Sequence, residues 1–175
     1  MSKLKQIDNM AEEKGSLLVT IWQFVKFIVV SLLAMIVQFV LLNTLNKIPA
    51  INELYTQEFN WLFFAYPVAV GGLGYFIVSN VANIVAQIVA FFVNKEKTFN
   101  SGANVAVALP IYIVFTIGLI VFSAWLNPTL KDLLVGWNLN EVAAKNIATM
   151  VCSAVQFFLY FPVDKILFHK KKEEK

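Results

Sequence analysis

Four stretches of the chain carry no Asp, Glu, Lys or Arg: Phe27 to Asn46, Tyr75 to Asn94, Val105 to Asn127, and Asn146 to Val163. Each is close to the ~20 helical residues needed to cross a hydrocarbon core about 30 Å thick. A lipid-facing barrel strand alternates apolar and polar positions over about 10 residues, and none of these runs alternates. Inside a bilayer every backbone N–H and C=O must find its partner within the segment, which leaves the helix as the solution. The pattern predicts an all-α integral membrane protein with four transmembrane helices.

The intervening segments are read against that frame. Residues 1–21 form a mixed-charge head containing Asp8, Glu12, Glu13 and Lys14, either solvated or lying on the membrane as a short amphipathic helix. The longest connection, Lys47 to Gly74, gathers Trp61, Phe63, Phe64 and Tyr66 before Pro67 and a Gly71-Gly72-Leu73-Gly74 cluster. Aromatic residues with turn-formers beside a span predict an interfacial segment, too short and broken to be a fifth span. Asn127 to Asn140, with Pro128, Gly136 and Trp137, reads as a second interfacial turn, and Lys95 to Asn104 as a tight hairpin. An offset of 69 positions places Gln87 over Gln156, Phe92 over Phe161 and Phe99 over Phe168. Helices one-two and three-four run in the same sense, so a repeat here would be parallel rather than inverted.

Composition sharpens the reading. Hydrophobic residues make up 59% of the chain and charged residues 14%, where a soluble domain has about 25% charged. All 14 cationic residues are Lys. Eleven fall in the head, the opening of the first helix, the central loop and the tail; only Lys47, Lys131 and Lys145 fall on the other side. Such an imbalance orients a membrane protein, and predicts both termini and the Lys95–Asn104 loop in the cytoplasm of a cell membrane. The net charge of +3 is therefore a topology signal and not a nucleic-acid one. Lys170-Lys171-Lys172 is placed to meet anionic inner-leaflet lipid at about 1 kcal/mol per Lys. The first run is too long for a signal-peptide core and lacks a small-residue cleavage site, so it is kept as a helix. Cys152 sits mid-helix as a small apolar packing residue, and lone His169 has no second histidine to form a metal site.

Polarity inside the spans is where function is sought. In the second helix Asn80, Asn83, Gln87 and Asn94 fall on one face. In the fourth, Lys145, Thr149, Cys152, Ser153 and Gln156 do the same. Such groups either join helices, at about 0.6 kcal/mol each on average, or line a cavity; for Ser31, Ser79, Thr149 and Ser153 helix joining is preferred. Lys145 either snorkels to the outer headgroups or meets an anion such as phosphate. The charge-free runs leave no Asp or Glu in mid-membrane, and neither a phosphate loop nor a nucleophile elbow is present. Neither a self-contained enzyme nor a cofactor is expected.

The second helix ends Ala90-Phe91-Phe92-Val93-Asn94-Lys95-Glu96-Lys97-Thr98-Phe99. This resembles the signature of the GtrA-like family of small four-helix membrane proteins, with Lys97 where many members have an aromatic residue. The fourth helix is similar to the family in Ala144-Lys145, in Gln156-Phe157, where Asn is usual in place of Gln, and in Lys165-Ile166-Leu167-Phe168, which lacks the family's aromatic. Lys26-Phe27 matches its basic entry to the first helix. The resemblance covers residues 22–170, between the 1–21 head and a basic 171–175 tail. It implies translocation of a polyprenyl-phosphate-linked sugar across the cytoplasmic membrane for cell-surface polysaccharide or teichoic-acid glycosylation, beside membrane glycosyltransferases. The alternative it leaves open is an anchor or accessory subunit that positions a glycosyltransferase without moving lipid. On the transport reading Lys26 and Lys95 at the inner mouth and Lys145 at the outer flank would offer the phosphate a cation, while Asn80, Asn83, Gln87, Asn94 and Gln156 would bond the sugar. Ala90, Thr98, Phe99, Lys165 and Phe168 are read as structural motif positions. Four helices make a thin wall for such a path, so a homo-oligomer is expected.

Overall fold

The computed structural model describes residues 3–62 and 64–169. Phe63, the Lys170-Lys171-Lys172 cluster and the 171–175 tail lie outside that range. A short α1 (Lys3–Glu13) leads into α2 (Ser16–Leu45), and a one-turn α3 (Pro49–Asn52) follows. The remaining helices are α4 (Gly72–Val93), α5 (Val105–Gly136) and α6 (Glu141–Leu167). Four of these, α2, α4, α5 and α6, are long and apolar enough to cross a membrane, and the protein is a four-span membrane protein. Lys165 Nζ, in the last turn of α6, donates to Thr20 Oγ1 in the first turns of α2 at 2.7 Å, so both termini lie at one end of the bundle.

The helices outrun the charge-free segments because polar residues at their ends are accommodated. Lys26 stays inside α2 by pairing with Asp8 of α1 at 2.9 Å. Pro128 does not stop α5. It removes one backbone donor, the helix continues to Gly136, and Thr129 Oγ1 donates back to the Trp125 carbonyl at 2.8 Å. The start of α6 is set by Asn140, whose Oδ1 accepts from the Ala143 amide at 2.9 Å as an N-cap. The expected interfacial turn over 127–140 therefore shrinks to the residues between Gly136 and Glu141.

Side-chain size sorts inside from outside. Leu32, Ile36, Phe39, Val114 and Met150 stand exposed on the outer face, where lipid replaces the water an apolar patch would avoid. The inner face of α4 buries Gly74, Val78, Ala82, Ala86 and Ala90, one every four residues. That of α6 buries Ala144, Ala148 and Cys152 at the same spacing. Small residues let helices approach closely where no hydrophobic effect drives them together. α2 packs along α4, and α5 along α6, as two hairpins running in the same sense. The two buried stripes coincide at an offset of 70, pairing Gly74 with Ala144, Ala82 with Cys152 and Asn94 with Asp164. Of the pairs read at an offset of 69, Phe99 and Phe168 lie beyond a π-turn over Asn94–Thr98 that spends an extra residue, whereas Gln87 with Gln156 and Phe92 with Phe161 lie before it and fall one position off the buried-stripe register.

The long first connection is ordered rather than open. After a 3₁₀ turn (Glu53–Thr56), β1 (Phe59–Trp61) and β2 (Phe64–Tyr66) form a small antiparallel hairpin with Phe59 opposite Tyr66. Phe59 stacks on Phe76 of α4 at 4.3 Å, while Trp61 and Leu62 stay exposed. Gly72 has φ +53°, and a Cβ there would run into the Gln57 carbonyl. Glycine is required at this corner by both backbone and space.

Candidate functional site

The bundle is not solid. Between α2, α4, α5 and α6 lies a cavity of about 160 Å³, whose wall mixes amide and hydroxyl side chains with Phe27, Ala34, Met35, Ala90 and Phe157. Gln38 and Ser31 reach it from α2, Gln87 from α4, and Asn94 from the π-turn that follows α4. Tyr112 comes from α5, and Ser153, Gln156 and Tyr160 from α6. Each helix thus contributes at least one polar side chain. Several are held in place by a neighbour: Tyr112 OH donates to Gln87 Oε1 at 3.1 Å, Gln156 Nε2 donates to Ser123 Oγ at 2.6 Å, and Tyr160 OH donates to Thr116 Oγ1 at 3.1 Å.

Two lining residues, Met35 and Ser153, are themselves exposed on the bundle surface. They mark the seam between α2 and α6 as the side on which the cavity approaches the lipid. Toward the termini that seam is closed by phenylalanines. Phe24 and Phe27 of α2 meet Phe157 and Phe161 of α6 with ring centroids 5.0–5.7 Å apart. Edge-to-face contacts of this kind contribute about 0.5–1.5 kcal/mol each beyond area burial.

Below the cavity, at the termini end, the π-turn turns Asn94 into the core. Phe99 N donates to Asn94 O at 2.9 Å, the i+5 bond that defines the turn. Asn94 is 1% exposed; its Nδ2 donates to Asp164 Oδ2 at 2.7 Å, and its Oδ1 accepts from Thr98 Oγ1 at 2.8 Å. Asp164 is fully buried, and its second oxygen, Oδ1, has no hydrogen-bond partner. The charge-free run still holds no carboxylate, but one lies buried just beyond its end. The charge-free run was cut at Val163, one residue short of Asp164, although the helix continues to Leu167. Around this network Phe91, Phe99 and Phe168 close the core, with Phe168 5.1 Å from Phe91 and 5.6 Å from Phe99.

The residues singled out from sequence divide accordingly. Gln87, Asn94 and Gln156 are brought together in the cavity wall, with Ala90 beside them. Thr98, Phe99 and Phe168 are buried in the network beneath it. Asn80 and Asn83 lie nearer the other end of α4 and are half-buried outside the wall; Asn80 Nδ2 donates to its own helix at Phe76 O, 2.7 Å. None of the three lysines expected to meet a phosphate lines the cavity. Lys26 is paired with Asp8, which also accepts from Trp22 Nε1 at 2.6 Å. Lys95 is 8% exposed, with Nζ 3.0 Å from Ser101 O and 3.3 Å from Glu96. Lys145 is exposed at the end away from the termini. Sequence reasoning missed Gln38, Tyr112, Tyr160 and Asp164. For the last two the available signal was their four-residue spacing along the buried stripe of α6.

Among the described residues no group of three or more His, Cys, Asp or Glu side chains could hold a metal ion. The chain matches no protein-family model, no curated protein and no solved structure.

Proposed function

We propose that the protein carries a polyprenyl-phosphate-linked monosaccharide across the cytoplasmic membrane, with the sugar passing through the cavity and the isoprenoid tail remaining in lipid at the α2–α6 seam. The observation that carries this reading is the gathering of side-chain amides from α2, α6 and the end of α4 in the wall of one cavity between the four helices. A cavity of about 150 Å³ admits a benzene ring when its lining is apolar. One of about 160 Å³ lined by Gln38, Gln87, Asn94 and Gln156 has the size for one pyranose ring and the amides to replace its water. An unsatisfied polar group in hydrocarbon costs several kcal/mol, so a sugar's hydroxyls need such a wall to cross.

Before passage the phosphate sits at headgroup level, where Lys26 and Lys165 flank the phenylalanine-closed end of the seam. Both now bond to neutralising or neutral neighbours, Asp8 and Thr20, that an arriving phosphate displaces. The lysine distribution favours the cytoplasm for this end; there a glycosyltransferase loads the carrier, and a second one consumes the sugar outside. Outward passage of an anion gains about 2.3 kcal/mol per charge per 100 mV of inside-negative potential.

The test compares two positions on the same helix. Gln87→Ala opens the cavity wall, whereas Asn80→Ala removes an amide bonded only to its own helix turn. In cells lacking the native gene, Gln87→Ala and Gln156→Ala should express at wild-type level and lose at least tenfold in surface glycosylation, with Asn80→Ala unaffected. Loss of glycosylation that always tracks loss of protein would instead support an accessory subunit, in which the amides only join helices.

A further inference from the structure

Asp164 is a costly side chain to place where it lies. It is fully buried, one oxygen accepts a single neutral amide hydrogen bond from Asn94, and the other has no partner. Among the described residues no cation bonds to it, and its one side-chain partner is the neutral amide of Asn94. Lys95, on the π-turn, directs Nζ to Ser101 O and Glu96. Lys26 of α2 is paired with Asp8, and Lys165 of α6 donates to Thr20. The two hydroxyls nearby, Tyr112 of α5 and Tyr160 of α6, are turned to Gln87 and Thr116. A naked carboxylate in such a site pays its full desolvation cost with no counter-ion. A neutral acid does not.

We propose that Asp164 is a proton-binding site, occupied in the closed arrangement described here and emptied when the termini end of the bundle opens. A proton on Oδ1 requires no coordination sphere, which suits a buried oxygen with no hydrogen-bond partner; a sodium ion would need several oxygens around it. Asn94 makes the site responsive to the cavity, because the same side chain lines the cavity wall and donates to Asp164. When the π-turn and the end of α6 separate and water enters, the ionised form becomes the better solvated one and the proton leaves to the water on that side. Closure requires taking it back. Protonation and closure are therefore linked, and by reciprocity each favours the other: low pH at this end holds the bundle closed and high pH opens it. The inference deepens the transport reading, and rests on it only for what the proton is coupled to.

The experiment is infrared difference spectroscopy in H₂O and D₂O on the full chain in lipid bilayers, made without sodium and with it. The wild type should give the carbonyl stretch of a protonated carboxyl group at pH 7, insensitive to sodium and absent from Asp164→Asn. Asn94→Ala should keep the band and move it, since the carbonyl has lost its one donor. Should Asp164→Asn fold poorly, Asp164→Glu serves, keeping a band at a displaced position. A second readout is the labelling of Gln87→Cys, in a Cys152→Ala background, by a water-soluble thiol reagent. Its rate should rise from pH 6 to pH 9 at least fivefold more than in the same protein carrying Asp164→Asn, which mimics the closed, protonated state. No band lost on Asp164→Asn, a band that depends on sodium, or identical labelling profiles would each overturn the proposal. An intact band and pH-dependent labelling in a protein that moves no lipid-linked sugar would leave the proton site standing and overturn the transport reading alone.

Discussion

At the residue scale the interior is governed by what each polar atom is given to bond. Asn94 is satisfied on both sides, by Asp164 and by Thr98. Thr98→Val keeps the shape but strips the donor from a buried amide oxygen, which costs about 1–3 kcal/mol. Thermal unfolding in nanodiscs should show it, whereas Asn80→Ala should stay within about 0.5 kcal/mol of wild type, as substitutions away from buried networks do. The same bookkeeping separates the lysines. Lys145 is exposed and outside the cavity wall, which favours the snorkelling role over contact with a phosphate in passage. Lys145→Gln should therefore retain at least half of wild-type surface glycosylation, while Lys165→Gln, at the seam, should lose most of it at equal protein level. A Lys145→Gln variant that expresses normally and is inactive would restore Lys145 to the path.

At the scale of elements, most of the fold was legible and the errors share one cause. Four helices follow from four charge-free runs, because in a bilayer length and apolarity leave the backbone no other option. Their ends do not follow, since a charge near a helix terminus is tolerated wherever a tertiary partner meets it. Asp8 does this for Lys26, and a single amide hydrogen bond from Asn94 holds the carboxyl group of Asp164; both partners are distant in sequence. The cavity was half legible. Gln87, Asn94 and Gln156 declare themselves as amides in apolar runs, but Tyr112 and Tyr160 resemble ordinary aromatic packing until the neighbouring helix is in place. The phenylalanine closure of the α2–α6 seam belongs wholly to tertiary structure. It carries its own prediction. Tethering Phe24→Cys to Phe161→Cys with a short bifunctional reagent cleaved by reductant, in the Cys152→Ala background, should abolish transport, and reductant should restore it. Transport that continues through a quantitatively tethered seam would place the lipid's entry elsewhere.

The whole molecule poses a question of sidedness, because a bundle with both termini at one end can sit in a membrane either way up. The structure makes the two ends chemically unlike. The termini end holds the Lys26–Asp8 pair, the Lys165–Thr20 bond, buried Lys95 and the Asn94–Asp164 network. The far end holds the aromatic hairpin, with Trp61 exposed, and the short α5–α6 turn with Trp137 exposed. Lysine near span ends sets orientation during insertion, so the termini end is expected in the cytoplasm, where the inside-negative potential also favours its positive charge. Exposed positions are available on both faces for the test: Gly102 between α4 and α5, and His169 after α6, against Gln57 and Asn138 at the other end. Single cysteines there, with Cys152→Ala, should divide cleanly in intact cells. Gln57→Cys and Asn138→Cys should react with an impermeant thiol reagent, and Gly102→Cys and His169→Cys only after the membrane is opened. Labelling of Gly102→Cys from outside would invert the molecule. The Asp164 site would then take its proton from the external medium, and the seam's closed end would face the leaflet where the sugar is consumed rather than the one where it is made.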